Sequence, residues 1–94
     1  MSKRISVIMP VYNGCEFIPL SLPPLIDMMH RGEIFEVIVV DDGSTDGSKQ
    51  IAETIGAKVL SSGGRLGPGG ARNQAADTAL GEILWFVDAD VVVH

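Results

Sequence analysis

The residues best suited to chemistry in this 94-residue sequence are two acidic pairs, Asp41-Asp42 and Asp88-Ala89-Asp90. In extended backbone, residues two apart project to the same side. Asp88 and Asp90 would then hold two carboxylates together, and these repel each other unless a cation sits between or beside them. Mg²⁺ and Mn²⁺ take oxygen ligands and commonly combine one or two carboxylates with substrate phosphates. Such an ion neutralises a diphosphate and stabilises it as a leaving group. Taken alone, Asp-x-Asp is more often a polar turn after a strand, so the pair gains meaning from its surroundings.

Asp41-Asp42 follows an apolar run in the stretch EVIVVDDGSTDGS, residues 36–48. A carboxylate there can accept a hydrogen bond from a base N–H or from ribose. Asp and Ser also cap helices well. The expectation is a division of labour, with Asp46 or Ser44 capping the next helix and Asp42 facing a ligand. Tyr12, the single tyrosine, follows another short apolar run and can stack on a nucleobase or pack over its own loop. Gly67, Gly69 and Gly70 precede Ala71-Arg72-Asn73. Glycines admit close backbone approach, a helix N-terminus favours anions, and Arg72 can add charge-assisted bonds to a phosphate. The plainer reading of Arg72 is an exposed side chain in a first helical turn. The stretch is not a P-loop, because no Gly-Lys-Ser/Thr follows. It is not a dinucleotide fingerprint either, because Arg72 stands where the third glycine belongs. Cys15 reads as an incidental thiol, and His30 as a cation near a helix C-terminus.

These residues need elements to carry them. Ile5 to Met9 is a β-branched apolar run that predicts a buried strand ending at Pro10. Pro10 to Gly14 reads as a loop. The prolines Pro19, Pro23 and Pro24 delay the first helix to about Ser21 as N-cap, running to about His30, with Gly32 as the stop. Glu36 to Val40 is a second strand, and residues 41–48 a loop. A helix follows to about Ile55, capped by Gly56. Lys58 to Leu60 predicts a short third strand, Gly69 to Leu80 a third helix ended by Gly81, and Ile83 to Val87 a fourth strand delivering Asp88 and Asp90. Strands alternating with helices imply βαβ units and a parallel sheet. In open sheets of this kind ligands gather beyond the C-terminal strand ends. The polar clusters at 10–13, 41–42 and 88–90 all fall at such ends.

Composition sets the outer limits. The chain is 46% apolar with few aromatics, enough for one small domain whose core is Ile, Val, Leu, Met and Ala. A net charge of −5 argues against a nucleic-acid footprint, which needs clustered Lys and Arg. The single cysteine allows no intrachain disulfide and suits a reducing compartment. The start is too short in apolar residues for a signal peptide, and no apolar run reaches transmembrane length. The expectation is a cytoplasmic chain, with membrane-peripheral work left to other parts of a full-length protein.

The order of the motifs carries more than any one of them. ISVIMPVYN at 5–13, EVIVVDDGSTDGS at 36–48, GPGGARN at 67–73 and GEILWFVDAD at 81–90 together resemble family 2 glycosyltransferases of the GT-A fold. The resemblance spans nearly the whole of residues 1–94. It implies a Rossmann-like α/β half-domain, with a mostly parallel sheet of about four strands flanked by helices. It also implies transfer of a sugar from a nucleoside diphosphate, UDP- or GDP-linked, to a glycan or lipid acceptor, with inversion at the anomeric carbon. By position, Pro10 and Tyr12 would line the nucleoside pocket. Asp42 would bind the base with Asp41 beside it, and Arg72 would lie near the nucleotide. Asp88 would lie near ribose and metal, and Asp90 would be the main ligand of Mn²⁺ or Mg²⁺.

Three departures from the family pattern stand out, one being the prolines Pro19, Pro23 and Pro24, which are unusual in the first helix. The acidic residue often found two positions after the Asn13 equivalent is replaced by Cys15, so Glu16, next in line, takes its place among the nucleotide-binding candidates. The family's acceptor-binding half and its catalytic base lie beyond the Asp-x-Asp motif, hence beyond residue 94. The expectation is a fragment that binds nucleotide and metal without transferring sugar, and whose incomplete sheet offers an edge for self-association. Two other readings compete. One is a Mg²⁺-dependent phosphoacceptor receiver-like domain. The other is a non-catalytic interaction module.

Overall fold

A computed structural model describes residues 3–64 and 66–88. The elements run β1 (Ile5–Val11), α1 (Ile18–His30), β2 (Glu36–Asp41), α2 (Ser48–Ile55), β3 (Lys58–Ser61), α3 (Gly67–Thr78) and β4 (Ile83–Phe86). The four strands form one parallel sheet in the order β3-β2-β1-β4.

The apolar runs explain which strands are central. β1 and β2 are buried almost throughout, as expected for strands covered on both faces. Their side chains alternate between two cores. Val7, Met9, Val11, Val37 and Val39 pack with Ile18, Leu22, Leu25 and Ile26 of α1 and Ala52 of α2. Ile8, Ile38 and Val40 pack with Ala71 and Ala75 of α3 on the other face. The small alanines let α3 lie close to the sheet.

The connections set the position of the site. From β1 the chain steps outward to β2 and then β3. After α3 it crosses back and lays β4 on the far side of β1. The direction of travel reverses between β1 and β4, and in open α/β sheets ligands bind beyond the strand ends at that reversal. Tyr12 leaves β1 there and Asp88 leaves β4 there.

Several boundaries differ from the sequence expectation. β1 runs through Pro10 to Val11, with Pro10 paired opposite Val40 and Val11 opposite Asp41. The Ile8 carbonyl accepts the Val87 N–H at 3.0 Å, so Pro10, two residues on, faces the β4 side. Its missing N–H ends that ladder while pairing to β2 continues. Helix α1 starts at Ile18, three residues before Ser21, and accommodates Pro23 and Pro24 internally. Its stripe of Ile18, Leu22, Leu25 and Ile26 is buried at helical spacing, and that packing outweighs the two lost amide donors. Ser21 is not the N-cap; its hydroxyl donates back to the Phe17 carbonyl at 3.0 Å. Helix α3 begins at Gly67, two residues earlier than expected, and ends at Thr78. Gly81 does not cap it. A Cβ at Gly81 would overlap Ser6 Oγ and lie 2.8 Å from the Ser6 backbone nitrogen and 2.9 Å from the Arg4 carbonyl oxygen, so glycine is required there by close approach of β1.

That crossing is fixed by a buried carboxylate. Glu36, first residue of β2, accepts the Ser6 hydroxyl at 2.6 Å and the Leu80 N–H at 2.7 Å. Ser6 Oγ in turn accepts the Gly81 N–H at 2.8 Å. The turn into β4 is thereby tied to both central strands. β4 itself exposes Ile83, Leu84, Trp85 and Phe86, an apolar edge strand with neither face covered among the described residues.

Candidate functional site

The C-terminal rim of the sheet is built from loops that hold one another. Asp42 continues β2 by donating its N–H to the Val11 carbonyl at 2.8 Å. Its carboxylate, only 2% exposed as a residue, turns toward α3. Oδ1 accepts the Ser62 hydroxyl at 2.7 Å and the Leu66 N–H at 2.8 Å, and Oδ2 accepts the Gly67 N–H at 2.9 Å. A strand side chain therefore fills the role of N-cap, satisfying donors that a helix start leaves open. This explains the early start of α3. It also means that the first amides of the glycine-rich stretch are engaged by Asp42.

Asp41 lies on the opposite face of β2. It is buried, and its Oδ1 has no hydrogen-bond partner among the described residues. An orphaned buried acceptor is costly and marks a position where an incoming donor would be favourable.

Arg72, in the second turn of α3, reaches Asp88 beyond β4, with its guanidinium 3.8 Å from the carboxylate. Both side chains are substantially exposed, so the pair contributes little stability. Arg72 Nε is buried without a partner, leaving a directed donor beside a carboxylate at the rim. Tyr12 is about half exposed immediately after β1, and Pro10 is half-buried at the end of that strand. Glu16 is exposed at the approach to α1. Asp90, the expected main metal ligand, lies outside the described residues. Among those described, no group of three or more His, Cys, Asp or Glu could hold a metal. Asp88 supplies a hard oxygen donor of the type Mn²⁺ and Mg²⁺ accept, and Arg72 beside it suits the phosphates such an ion accompanies. The donor set therefore fits a metal–diphosphate site in kind.

A second set of residues joins the loop after β1 to the loop after β2, a link between distant segments that local sequence signals do not reveal. Asn13, whose φ is +50°, takes the left-handed conformation that Asn tolerates. Its N–H donates to Ser44 Oγ at 2.9 Å, and its Oδ1 accepts the Thr45 N–H at 2.8 Å. Gly14 N–H donates to Ser48 Oγ at 3.0 Å, and Cys15 N–H to Asp46 Oδ2 at 3.1 Å. Asp46 Oδ1 accepts the N–H of Ser48 at 3.0 Å and also its hydroxyl. The Ser48 hydroxyl is the first cause of the lowered Asp46 pKa, about 2, and the Cys15 N–H adds to it. Asp46 does cap α2 as expected, although Gly47 holds the N-cap position. Ser44 holds the neighbouring loop instead. The Cys15 thiol is pushed upward by its hydrogen bond to Asp46 and by burial, the opposite of what a nucleophilic cysteine needs.

Comparison with known proteins gives a consistent picture. A family model described as Glycosyl transferase family 2 matches residues 6–94. The poly(ribitol-phosphate) beta-glucosyltransferase of Bacillus spizizenii is 38% identical over 93% of this chain, which spans 15% of that protein. The crystal structure of Staphylococcus aureus TarS residues 1–349 superposes with a TM-score of 0.82 at 40% identity, covering 93% of this chain and 27% of that one. The Mycobacterium tuberculosis glucosyl-3-phosphoglycerate synthase, crystallised with Mn²⁺, UDP and glucosyl-3-phosphoglycerate, gives 0.79 at 30% identity, covering 97% and 35%.

Proposed function

The chain belongs to glycosyl transferase family 2 and has the GT-A fold, and we propose that residues 1–94 form the nucleotide-sugar-binding part of an inverting, metal-dependent glycosyltransferase. The observation that carries this reading is the reversal of strand order between β1 and β4, where Tyr12 and the Arg72–Asp88 pair emerge together. Support comes from the similar synthase crystallised with Mn²⁺ and UDP.

In this reading Tyr12 stacks on the base and Pro10 shapes the floor of the nucleoside pocket, with Glu16 at its margin. Asp41 supplies an acceptor, Oδ1, for a base or ribose donor, whereas Asp42, expected to face the ligand, has its carboxylate engaged by Ser62, Leu66 and Gly67 and positions α3 instead. Arg72 binds the diphosphate, using the donor capacity left open at Nε. Asp88, with Asp90, would hold Mn²⁺ or Mg²⁺. A bound ion supplies Lewis-acid stabilisation of the departing diphosphate. The acceptor is a glycan or lipid. The apolar strand β4 is where further chain or a second copy would cover the sheet. No described helix is long and apolar enough to cross a membrane. We place the protein in the cytoplasm.

Calorimetric titration of UDP and GDP, with and without Mn²⁺, tests the proposal. Metal-dependent binding of at least one nucleotide is expected. No binding of either would favour a non-catalytic interaction module. The family match leaves the phosphoacceptor reading without support, and covalent labelling by a small phosphodonor would revive it.

A further inference from the structure

Three consecutive backbone amides, those of Asn13, Gly14 and Cys15, donate to the side chains of Ser44, Ser48 and Asp46. The loop after β1 is thus stitched to the loop after β2 by side chains from one short segment. Asn13 Oδ1 returns the contact by accepting the Thr45 N–H. The stitch begins one residue after Tyr12, whose other neighbour, Val11, is fixed opposite Asp41 by the sheet. The Tyr12 backbone is therefore held from both sides.

Asp46 organises this arrangement. A serine hydroxyl has one proton and two lone pairs. Because Ser48 gives its proton to Asp46, its lone pair is presented to the Gly14 N–H. The sequence Gly14 N–H to Ser48 Oγ–H to the Asp46 carboxylate is a polarised chain that runs in one direction only. The second Asp46 oxygen receives Cys15 directly. One carboxylate thus fixes two of the three amides. Its lowered pKa keeps it charged throughout the usable pH range.

We propose that Asp46 is a positioning residue for nucleoside binding, acting through the 13–15 loop to fix Tyr12 where it follows Val11, the strand partner of Asp41. The inference rests on the nucleotide-binding reading above. Asp46 touches no ligand in this account, so its loss affects the nucleoside part of a nucleotide and spares the part bound through phosphate.

The test compares UDP with inorganic pyrophosphate, each titrated with Mn²⁺ into this chain. Asp46→Asn places an amide donor where one of the accepted N–H or O–H groups points. It is expected to weaken UDP binding about tenfold, the scale of one lost charge-assisted bond, and to leave pyrophosphate binding within about twofold. Ser48→Ala, which leaves the carboxylate in place, is expected to give the same split in a smaller amount, and Ser48→Thr to restore UDP binding. Equal weakening of UDP and pyrophosphate overturns the positioning role and leaves general destabilisation. UDP binding unchanged by Asp46→Asn in a folded protein overturns it as well. Failure of the unsubstituted chain to bind UDP at all is a different result, since it removes the nucleotide reading on which the inference stands.

Discussion

The Asp42 carboxylate at the end of β2 accepts the backbone N–H of Gly67 at 2.9 Å, so a sheet strand supplies the cap of helix α3. The helix that carries Arg72 is in this way referenced to the strand that carries Asp41, the buried acid with an acceptor oxygen to spare. Position along the rim is passed from β2 to α3 through one side chain.

Cutting this link should loosen α3 more than the sheet. Ser62→Ala removes one of the bonds to Asp42 and is expected to cost about 1 kcal/mol. Asp42→Ala leaves the Ser62 hydroxyl and the Leu66 and Gly67 amides without their acceptor and is expected to cost about 2–4 kcal/mol. Urea denaturation gives both values. Hydrogen exchange should locate the Ser62→Ala effect in the first turn of α3. Uniform loss of protection across the sheet would argue against a local cap.

Gly81 is a second point of rigidity. A methyl group there would overlap Ser6 Oγ and the Arg4 carbonyl, and backbone cannot yield as a flexible side-chain tip can. Gly81→Ala is expected to destabilise the fold by about 3 kcal/mol, the upper end for overpacking. The comparison is Gly32→Ala, whose added Cβ meets nothing within 4 Å although its φ is +79°, and which should cost about 1 kcal/mol from backbone strain alone. Equal costs at the two positions would show that the close approach to Ser6 is not what demands glycine.

Acid stability should report on Asp46. Its carboxyl is lowered from 3.8 to about 2 in the folded chain, so the folded state favours the charged form. That contribution is complete above pH 3.8 and is lost as pH falls through about 2. The stability gap between the unsubstituted chain and Asp46→Asn is expected to stay level from neutral pH to about pH 5 and to close between pH 3.8 and about 2. A gap that closes near neutral pH instead would place its origin in another group.

Much of this architecture was legible in the sequence because its signals are local. The runs at 5–9, 36–40 and 83–87 are apolar enough to predict strands, and Gly56, αL at φ +119°, ends α2 where expected. The convergence of the strand ends followed from alternation of strands and helices. What escaped depended on distant partners. The start of α1 was misplaced because tertiary burial of Ile18 and Leu22 overrides proline. Gly81 was read as a helix stop because its real constraint, Ser6, lies 75 positions away. The capping of α3 by Asp42 and the stitch from Asp46 to Cys15 were equally hidden, since each joins loops after different strands. One signal was available for Glu36: a charged residue opening a fully apolar strand calls for a buried partner.

The central claim is that Tyr12, Asp42, Arg72 and Asp88 form one rim around a metal-bound diphosphate. The direct measurement is paramagnetic broadening of backbone amide signals by Mn²⁺ in the presence of UDP, with Mg²⁺ as the diamagnetic reference. The expected result is that the amides of these four residues broaden together, while those of Ile34, Phe35 and Glu82 at the opposite end of the sheet stay sharp. Broadening centred on that opposite end, or spread without locus over the surface, would contradict the account.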